Sequence, residues 1–366
     1  MEDLLYKIGI TRIPLVGSVN ARQLISYCGS PKAVFEARRK ELLRIPGIGR
    51  QITDSILRQD VLREAEAEID FLERHHIRPL FYLDDGYPER LRHYPDSPVL
   101  LFYRGVAELN SLRVVGVVGT RRPTAQGRAF CEALIDGLQP YGALVVSGLA
   151  YGIDVTAHRR CLKNGLPTVG VLGHGFSYIY PPQHHQVAER MTGQGGLLTE
   201  YLSHMKPDRE HFPMRNRIIA GLCDALVVVE TARRGGSIIS AEIANSYNKD
   251  VFAVPGRVGD RQSAGCNHLI KTHKAALLES AEDLVLAMRW DDATGRDGVQ
   301  KSLFTELNEA EEKVVALLRQ AESVGIDHLT FECGMSNSAM AALLLQLEFK
   351  GLVRSMPGKR YTLVRQ

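Results

Sequence analysis

Between Leu112 and Arg289 short apolar runs alternate with longer amphipathic stretches. The runs are Val114–Gly119, Ala143–Ser147, Thr168–Leu172, Gly196–Thr199, Ala225–Glu230 and Val251–Val254. They are rich in valine and leucine and lack a 3.6-residue period, so they read as strands buried on both faces. The helical stretches between them supply crossovers, and the alternation predicts a parallel sheet. Tyr87-Pro88, Tyr94-Pro95 and Ser97-Pro98 predict an extended approach to that sheet, with a further strand at Val99–Tyr103.

Residues 1–75 show short helical patterns and no strand alternation. Within them Ile45-Pro46-Gly47-Ile48-Gly49-Arg50 separates two helical patterns. Glycine frees such a turn so that its N–H groups can face a phosphate, while Ile45 and Ile48 pin it to a core. The element resembles a helix-hairpin-helix, which holds DNA backbones without reading sequence. A tight helix–helix turn with no ligand accounts for the same residues.

Residues 290–302 are polar and glycine-bearing and read as a linker. Beyond it, helices at Glu309–Gln320 and Ser336–Lys350 precede a hairpin of Leu352–Arg354 and Tyr361–Val364 through Pro357-Gly358-Lys359. That order predicts a winged helix. Its recognition helix, Asn337–Gln346, is nearly uncharged. A groove-reading helix carries Arg, Lys, Asn or Gln toward bases and phosphates, so a protein-binding or regulatory tail is expected. The expected fold is α/β: an extended Rossmann-like parallel sheet at 76–289, between a helical (helix-hairpin-helix or SAM-like) domain at 1–75 and a winged-helix-like domain at 303–366.

Composition narrows the class. With 45% hydrophobic and 24% charged residues in 366, the chain is a soluble globular protein of two or three domains. No apolar run approaches the roughly 18 residues that span a bilayer. Met1-Glu2-Asp3 is acidic and carries no signal-peptide pattern. The six cysteines are scattered without a Cys-x-x-Cys pair, so free thiols in a reducing cytoplasm are expected, and no metal site. A net charge of +3 excludes a basic coat for nucleic acid; anion sites must come from local arginine clusters.

Ligands of parallel sheets bind outside the carboxyl ends of the strands, so the residues after each strand matter most. Gly119 ends the first, and Pro123 is expected to open a helix running to Leu138, where proline suits a first turn. The unpaired N–H groups of such a start make an anion cradle, with Thr120, Arg121 and Arg122 at its mouth. Neither Gly-x-Gly-x-x-Gly nor Gly-x-x-x-x-Gly-Lys-Ser/Thr is present here. The next strand ends in Ser147-Gly148-Leu149-Ala150-Tyr151-Gly152-Ile153-Asp154. Further ends lead to Phe212-Pro213-Met214-Arg215-Asn216-Arg217 and to Arg233-Arg234-Gly235-Gly236-Ser237, each opening a helix. Such a rim is polar, cationic and able to follow several phosphates.

Individual residues carry competing readings. Arg121 suits a charge-assisted bond to phosphate or a surface ion pair. Arg215 and Arg217 flank Asn216 and point to different faces; one is expected to meet nucleic acid and the other to order the domain. Phe212 suits stacking on a base or a core beneath the loop. Ser147, Gly148, Gly236 and Ser237 offer compact donors. Asp154 is expected as a helix cap and Glu230 as the holder of an arginine. His184 and His185 point apart and are expected to face solvent.

Gly119-Thr120-Arg121, Ser147–Asp154, Phe212 with Arg215-Asn216-Arg217-Ile218-Ile219-Ala220-Gly221, Gly236-Ser237, Val254-Pro255-Gly256 and Gly265-Cys266-Asn267-His268-Leu269-Ile270 together resemble the DNA-processing protein A (DprA/Smf) family. The resemblance runs through the central domain, and the flanking domains agree with the family's layout. It implies a cytoplasmic, dimeric single-stranded DNA binder of natural transformation that protects incoming DNA and helps load the RecA recombinase, without cofactor or catalysis. Lys271-Thr272-His273-Lys274 stands where the family usually shows a Gly-Ala pair, which adds Lys271 to the DNA-binding candidates.

Two rivals remain. The first, a nucleotide-processing enzyme resembling phosphoribohydrolases, uses Pro-Gly-Gly-x-Gly-Thr-x-x-Glu; Arg234–Glu242 here lacks the proline. The second, a nicotinamide dehydrogenase, fails because Ser147 and Gly148 close the second strand where an acidic ribose partner belongs.

Overall fold

The computed structural model describes residues 2–290, 308–319, 324–349, 352–356 and 360–363. Nine strands among them form one sheet: β1 Arg78–Phe81, β2 Leu100–Gly105, β3 Val114–Val118, β4 Leu144–Ser147, β5 Thr168–Val171, β6 Gly196–Thr199, β7 Ala225–Val228, β8 Asp250–Ala253 and β9 Ala276–Leu277. Their order is β1-β2-β6-β5-β4-β3-β7-β8-β9. Pairing is parallel from β6 to β9, as at Val115 with Val145 and Ala225. The β1–β2 and β2–β6 pairs are antiparallel.

The β3 run Val-Val-Gly-Val-Val is buried throughout because helices cover both faces. Val114 and Val118 join a core with Ile218 and Ile219. Val115 and Val117 pack on the other face with Leu134 and Ile135. Each such side chain contributes roughly 1.5–3 kcal/mol by leaving water. From β3 the chain steps outward through β4 and β5 to β6, then crosses back to place β7 on the far side of β3. That reversal opens a crevice at the carboxyl ends of β3 and β7.

Six helices precede the sheet, from Glu2–Arg12 to Val61–Arg74. Ile8, Leu24, Ile45, Ile48 and Ile56 share one core with Phe81, Leu100 and Phe102 of β1 and β2. The expected turn at Ile45–Arg50 is present, with Gly47 at φ +76° and Gly49 capping the helix Arg50–Arg58. It has a twin. Arg-Ile-Pro-Leu-Val-Gly at 12–17 parallels Arg-Ile-Pro-Gly-Ile-Gly at 44–49. Val16 N–H donates to the Ile13 carbonyl and Ile48 N–H to that of Ile45, both at 3.1 Å. Gly17 and Gly49 cap the following helices with φ of −86° and −85°. Leu15 takes the left-handed place of Gly47, which hides the repeat in the sequence.

Two expectations are corrected. Pro123 does not open its helix; Thr124 caps Ala125–Leu138, its Oγ1 accepting from Gly127 N–H at 3.0 Å. Trp290, the expected first linker residue, is buried in the core beside Val285. The rest of the linker, 291–302, lies outside the described residues, as do the helix ends Gln320 and Lys350, the turn 357–359 and Val364.

The chain divides into the units Met1–Thr294 and Gly295–Gln366. In the second, helices Glu309–Arg319, Ile326–Cys333 and Asn337–Phe349 accompany strands Val324–Gly325, Val353–Met356 and Arg360–Leu363. Val314, Leu318, Leu329, Met340 and Leu344 fill its core. No helix among the described residues is long and apolar enough to cross a membrane.

Candidate nucleic-acid interface

The crevice holds a cavity of about 630 Å³ lined by the carboxyl ends of successive strands. Gly119, Thr120 and Arg121 come from β3, Ala150 and Asp154 from β4, and Tyr180 from β5. Arg209, Phe212, Arg215 and Asn216 follow β6, and Gly235, Gly236 and Ser237 follow β7. The geometry thus gathers candidates that lie far apart in sequence.

Close backbone approach builds the β3 side. A Cβ on Gly119 would overlap Ile153, and one on Gly152, at φ +81°, would overlap the Thr120 carbonyl. Ile153 N–H donates to that carbonyl at 3.2 Å, tying the two strand ends together. Three amides here are already engaged. Thr120 N–H donates to the Glu230 carbonyl at 2.6 Å, Arg122 N–H to Thr120 Oγ1 at 3.2 Å, and Thr124 N–H to Glu230 Oε2 at 2.9 Å. The expected anion cradle at this helix start is therefore filled by Glu230, whose carboxylate suits a helix N-terminus. Glu230 caps backbone rather than holding an arginine, another correction.

The open helix N-terminus belongs instead to Gly236–Ser246, whose cap residue Gly235 offers no side chain. Ile238 N–H donates to the Gly235 carbonyl at 3.1 Å, and the two amides before it, of Gly236 and Ser237, have no intrahelical acceptor. Ser237 is 7% exposed, and its buried Oγ has no partner among the described residues. A hydroxyl left unpaired at a helix start suits a phosphate oxygen.

Arg121 supplies the side-chain charge. Its guanidinium carbon stands 5.7 Å from the Phe212 ring centroid. Tyr180 stands beside the same ring, centroids 5.7 Å apart and tilted 40°. Phe212 is half-buried and lines the cavity, which places it at the rim. Arg209 and Tyr180 were not among the sequence candidates. Arg209 sits three residues before Phe212 on the same strand exit, and its charge was the available signal.

Four candidates turn inward. Ser147 is fully buried, its hydroxyl donating to the Val117 carbonyl at 2.6 Å. Gly148 is buried, its N–H donating to Asp154 Oδ2 at 3.1 Å. Arg215 is 4% exposed, and its Nη1 donates to the carbonyls of Gly148, at 2.7 Å, and Val171. Arg217 is 8% exposed and pairs with Glu200 at 2.6 Å. The expectation that one arginine of this pair reaches out is corrected: both hold the domain together, and Arg215 only floors the cavity. Burial lowers the Arg215 pKa to about 10, partly offset by Asp154, so it stays cationic at neutral pH. Burial raises the Asp154 pKa, against the pull of Arg215. Asp154 accepts amides from the preceding loop, Gly148 and Ala150, rather than capping its own helix.

His184, Arg122 and Lys271 also differ from expectation, while His185 agrees with it. His184 is buried, its Nδ1 2.8 Å from the carbonyl of Leu149, which holds φ +57°. His185 is exposed. Arg122 and Lys271 are exposed but do not line the cavity. A second cavity, of about 650 Å³, is lined by the first hairpin (Gly17, Ser18), Glu200 and Arg217. Arg217 pairs there with Glu200, the other lining charges are Arg12, paired with Glu64, and Asp96, and so it offers no net cation to a polyanion.

A family model described as DNA recombination-mediator protein A matches residues 78–289, and one described as the DprA winged helix domain matches 304–359. Protein Smf of Synechocystis sp. is 32% identical over 97% of this chain and 98% of its own length. The crystal structure of DNA processing protein A from Streptococcus pneumoniae superposes with a TM-score of 0.64 at 34% identity, covering 77% of this chain and 97% of that one. A Helicobacter pylori DNA processing protein A structure, titled for its single-stranded DNA binding mode, gives 0.54 at 27% identity, covering 59% and 96%. The chain belongs to the DNA recombination-mediator protein A (DprA/Smf) family.

Proposed function

We propose that the chain binds single-stranded DNA along the carboxyl rim of its sheet and breaks no bonds there. The carrying observation is the cavity that joins Arg121, Arg209, the Phe212–Tyr180 aromatic pair and the free helix start at Ser237. Cations grip the backbone, and an aromatic face contributes roughly 1–3 kcal/mol per stacked base. The single-strand binding named for the Helicobacter pylori relative supports this reading. The two acids at the rim support the non-catalytic part: Asp154 and Glu230 are each committed to backbone amides. Glu242, the glutamate a phosphoribohydrolase reading requires, pairs with Lys274.

Within natural transformation, the protein protects incoming cytoplasmic strands and hands them to the RecA recombinase, acting as a homodimer. The family's description as a recombination mediator supports the hand-over. Leu277 on the edge strand β9 is 47% exposed, which supports pairing with a second copy there. In the tail, Phe331 is 82% and Leu345 53% exposed, an apolar display that suits a protein partner better than a phosphate backbone. The test is a salt titration of binding to single-stranded and duplex DNA, beside incubation with nucleoside monophosphates. Preferred, salt-sensitive single-strand binding with no released base is expected. Base release, or equal affinity for duplex, would overturn the proposal.

A further inference from the structure

A second cationic cavity, of about 450 Å³, is lined by Arg233, Arg234, Ile238, Glu242, His268, Leu269 and Lys274. It backs onto the same turn as the first. Ala232, Gly235, Gly236, Ser237 and Ile239 face the first cavity, while Arg233, Arg234 and Ile238 face the second. The ridge between them is open at Gly236, where an added Cβ would meet nothing within 4 Å. Arg233 and Arg234 are exposed and have no ion-pair partner among the described residues. Lys274 pairs with Glu242 at 3.2 Å, both side chains about half exposed. Lys271, also exposed, ends the neighbouring helix Ala264–Lys271.

We propose that Arg233, Arg234 and Lys274 form a second phosphate-binding station, reached by the same DNA strand after it crosses the Gly235–Gly236 ridge. The inference rests on the single-strand reading above and extends its footprint. Three observations favour a continuing single strand. The lining holds three cations and no Phe, Tyr or Trp ring, so it suits gripping a backbone better than stacking a base. Two stations on opposite sides of one turn demand a sharp bend, which an unpaired strand makes freely and a duplex with a persistence length near 150 base pairs does not. Glu242 stands among the cations, so this station is the weaker of the two and adds affinity only to strands long enough to reach it.

The experiment measures binding of the full chain to oligothymidylates of about 5 and about 20 nucleotides across a salt series. The triple variant Arg233→Ala/Arg234→Ala/Lys274→Ala is expected to lower affinity for the long strand about tenfold and to reduce its salt slope by about 2, at 0.7 per phosphate contact. Affinity for the short strand stays unchanged. Glu242→Gln is expected to tighten the long strand only, a gain that misfolding cannot imitate. Unchanged long-strand binding in both variants would overturn the station, as would equal losses on short and long strands. If the unaltered chain binds neither oligonucleotide, the underlying single-strand reading falls as well. Binding by free nucleoside triphosphate, lost in the triple variant while the long strand is unaffected, would assign the cavity to a small ligand and overturn the proposal.

Discussion

Arg121 rests over the face of Phe212, guanidinium carbon to ring centroid 5.7 Å. One residue follows β3 and the other lies on the helix after β6, so the contact spans the crevice. It joins the two kinds of contact a sequence-neutral single-strand site needs, a fixed cation and a π-face.

Arg121→Ala should weaken single-strand binding at every sequence and reduce the salt slope by about 0.7–1. Thermal stability should not change, since the side chain supports no buried group. Fluorescence anisotropy across a salt series, beside a melting curve, reads both. Unaltered affinity would remove Arg121 from the site.

Phe212→Ala should cost roughly 1–3 kcal/mol of binding with the salt slope preserved, because stacking releases no counterions. The cation–π contact adds a second expectation. The double variant with Arg121→Ala should lose less than the sum of the singles, since each single already disturbs its partner. Strict additivity in a double-mutant cycle would show that the two rings of contact act independently.

The sheet was legible because β3 to β8 are buried on both faces, which writes continuous apolar runs into the sequence. The roles of Arg215 and Arg217 were not. Helix His211–Leu222 is covered on most of its surface, with Arg215 and every residue from Arg217 to Leu222 buried. Two arginines at a helix start look like ligands until the slot they fill is visible. Gly148 makes that slot, since a Cβ there would overlap the Arg215 guanidinium. A glycine that clears space for a buried cation and one that admits a phosphate leave the same letter in the sequence. The first hairpin escaped notice for the converse reason, its left-handed position being a leucine.

Arg215→Ala should therefore act on the fold before it acts on DNA. It strips two buried carbonyls, those of Gly148 and Val171, of their donor and leaves Asp154 without its neighbouring cation. Breaking a buried charged arrangement on one side costs roughly 3–5 kcal/mol. Arg215→Lys should recover little, because a single ammonium lacks the planar fork. Urea unfolding checks this. A full-stability Arg215→Ala protein that has lost only DNA binding would make Arg215 a direct ligand after all.

The layer beneath the rim should also make the protein acid-sensitive. His158 is fully buried, 2.7 Å from Thr168 Oγ1, and that hydroxyl donates to the Val145 carbonyl at 2.9 Å. Nδ1 must then carry the proton, and Nε2 is buried without a partner among the described residues. Burial lowers the His158 pKa from 6.5 to about 3, with His184 and Arg215 adding smaller repulsions. Between those two values the unfolded chain binds a proton that the folded chain refuses. Stability is thus complete above about pH 6.5, falls as the pH drops below it, and stops falling near 3. At pH 5 the loss from this residue is about 2 kcal/mol. Burial also lowers the pKa of His174 and of His184, which adds in the same direction. Urea midpoints at pH 7.5 and 5 should show the decline in the unaltered protein and a shallower one in His158→Asn, whatever that variant's own baseline. An equal decline in both would place the acid sensitivity elsewhere.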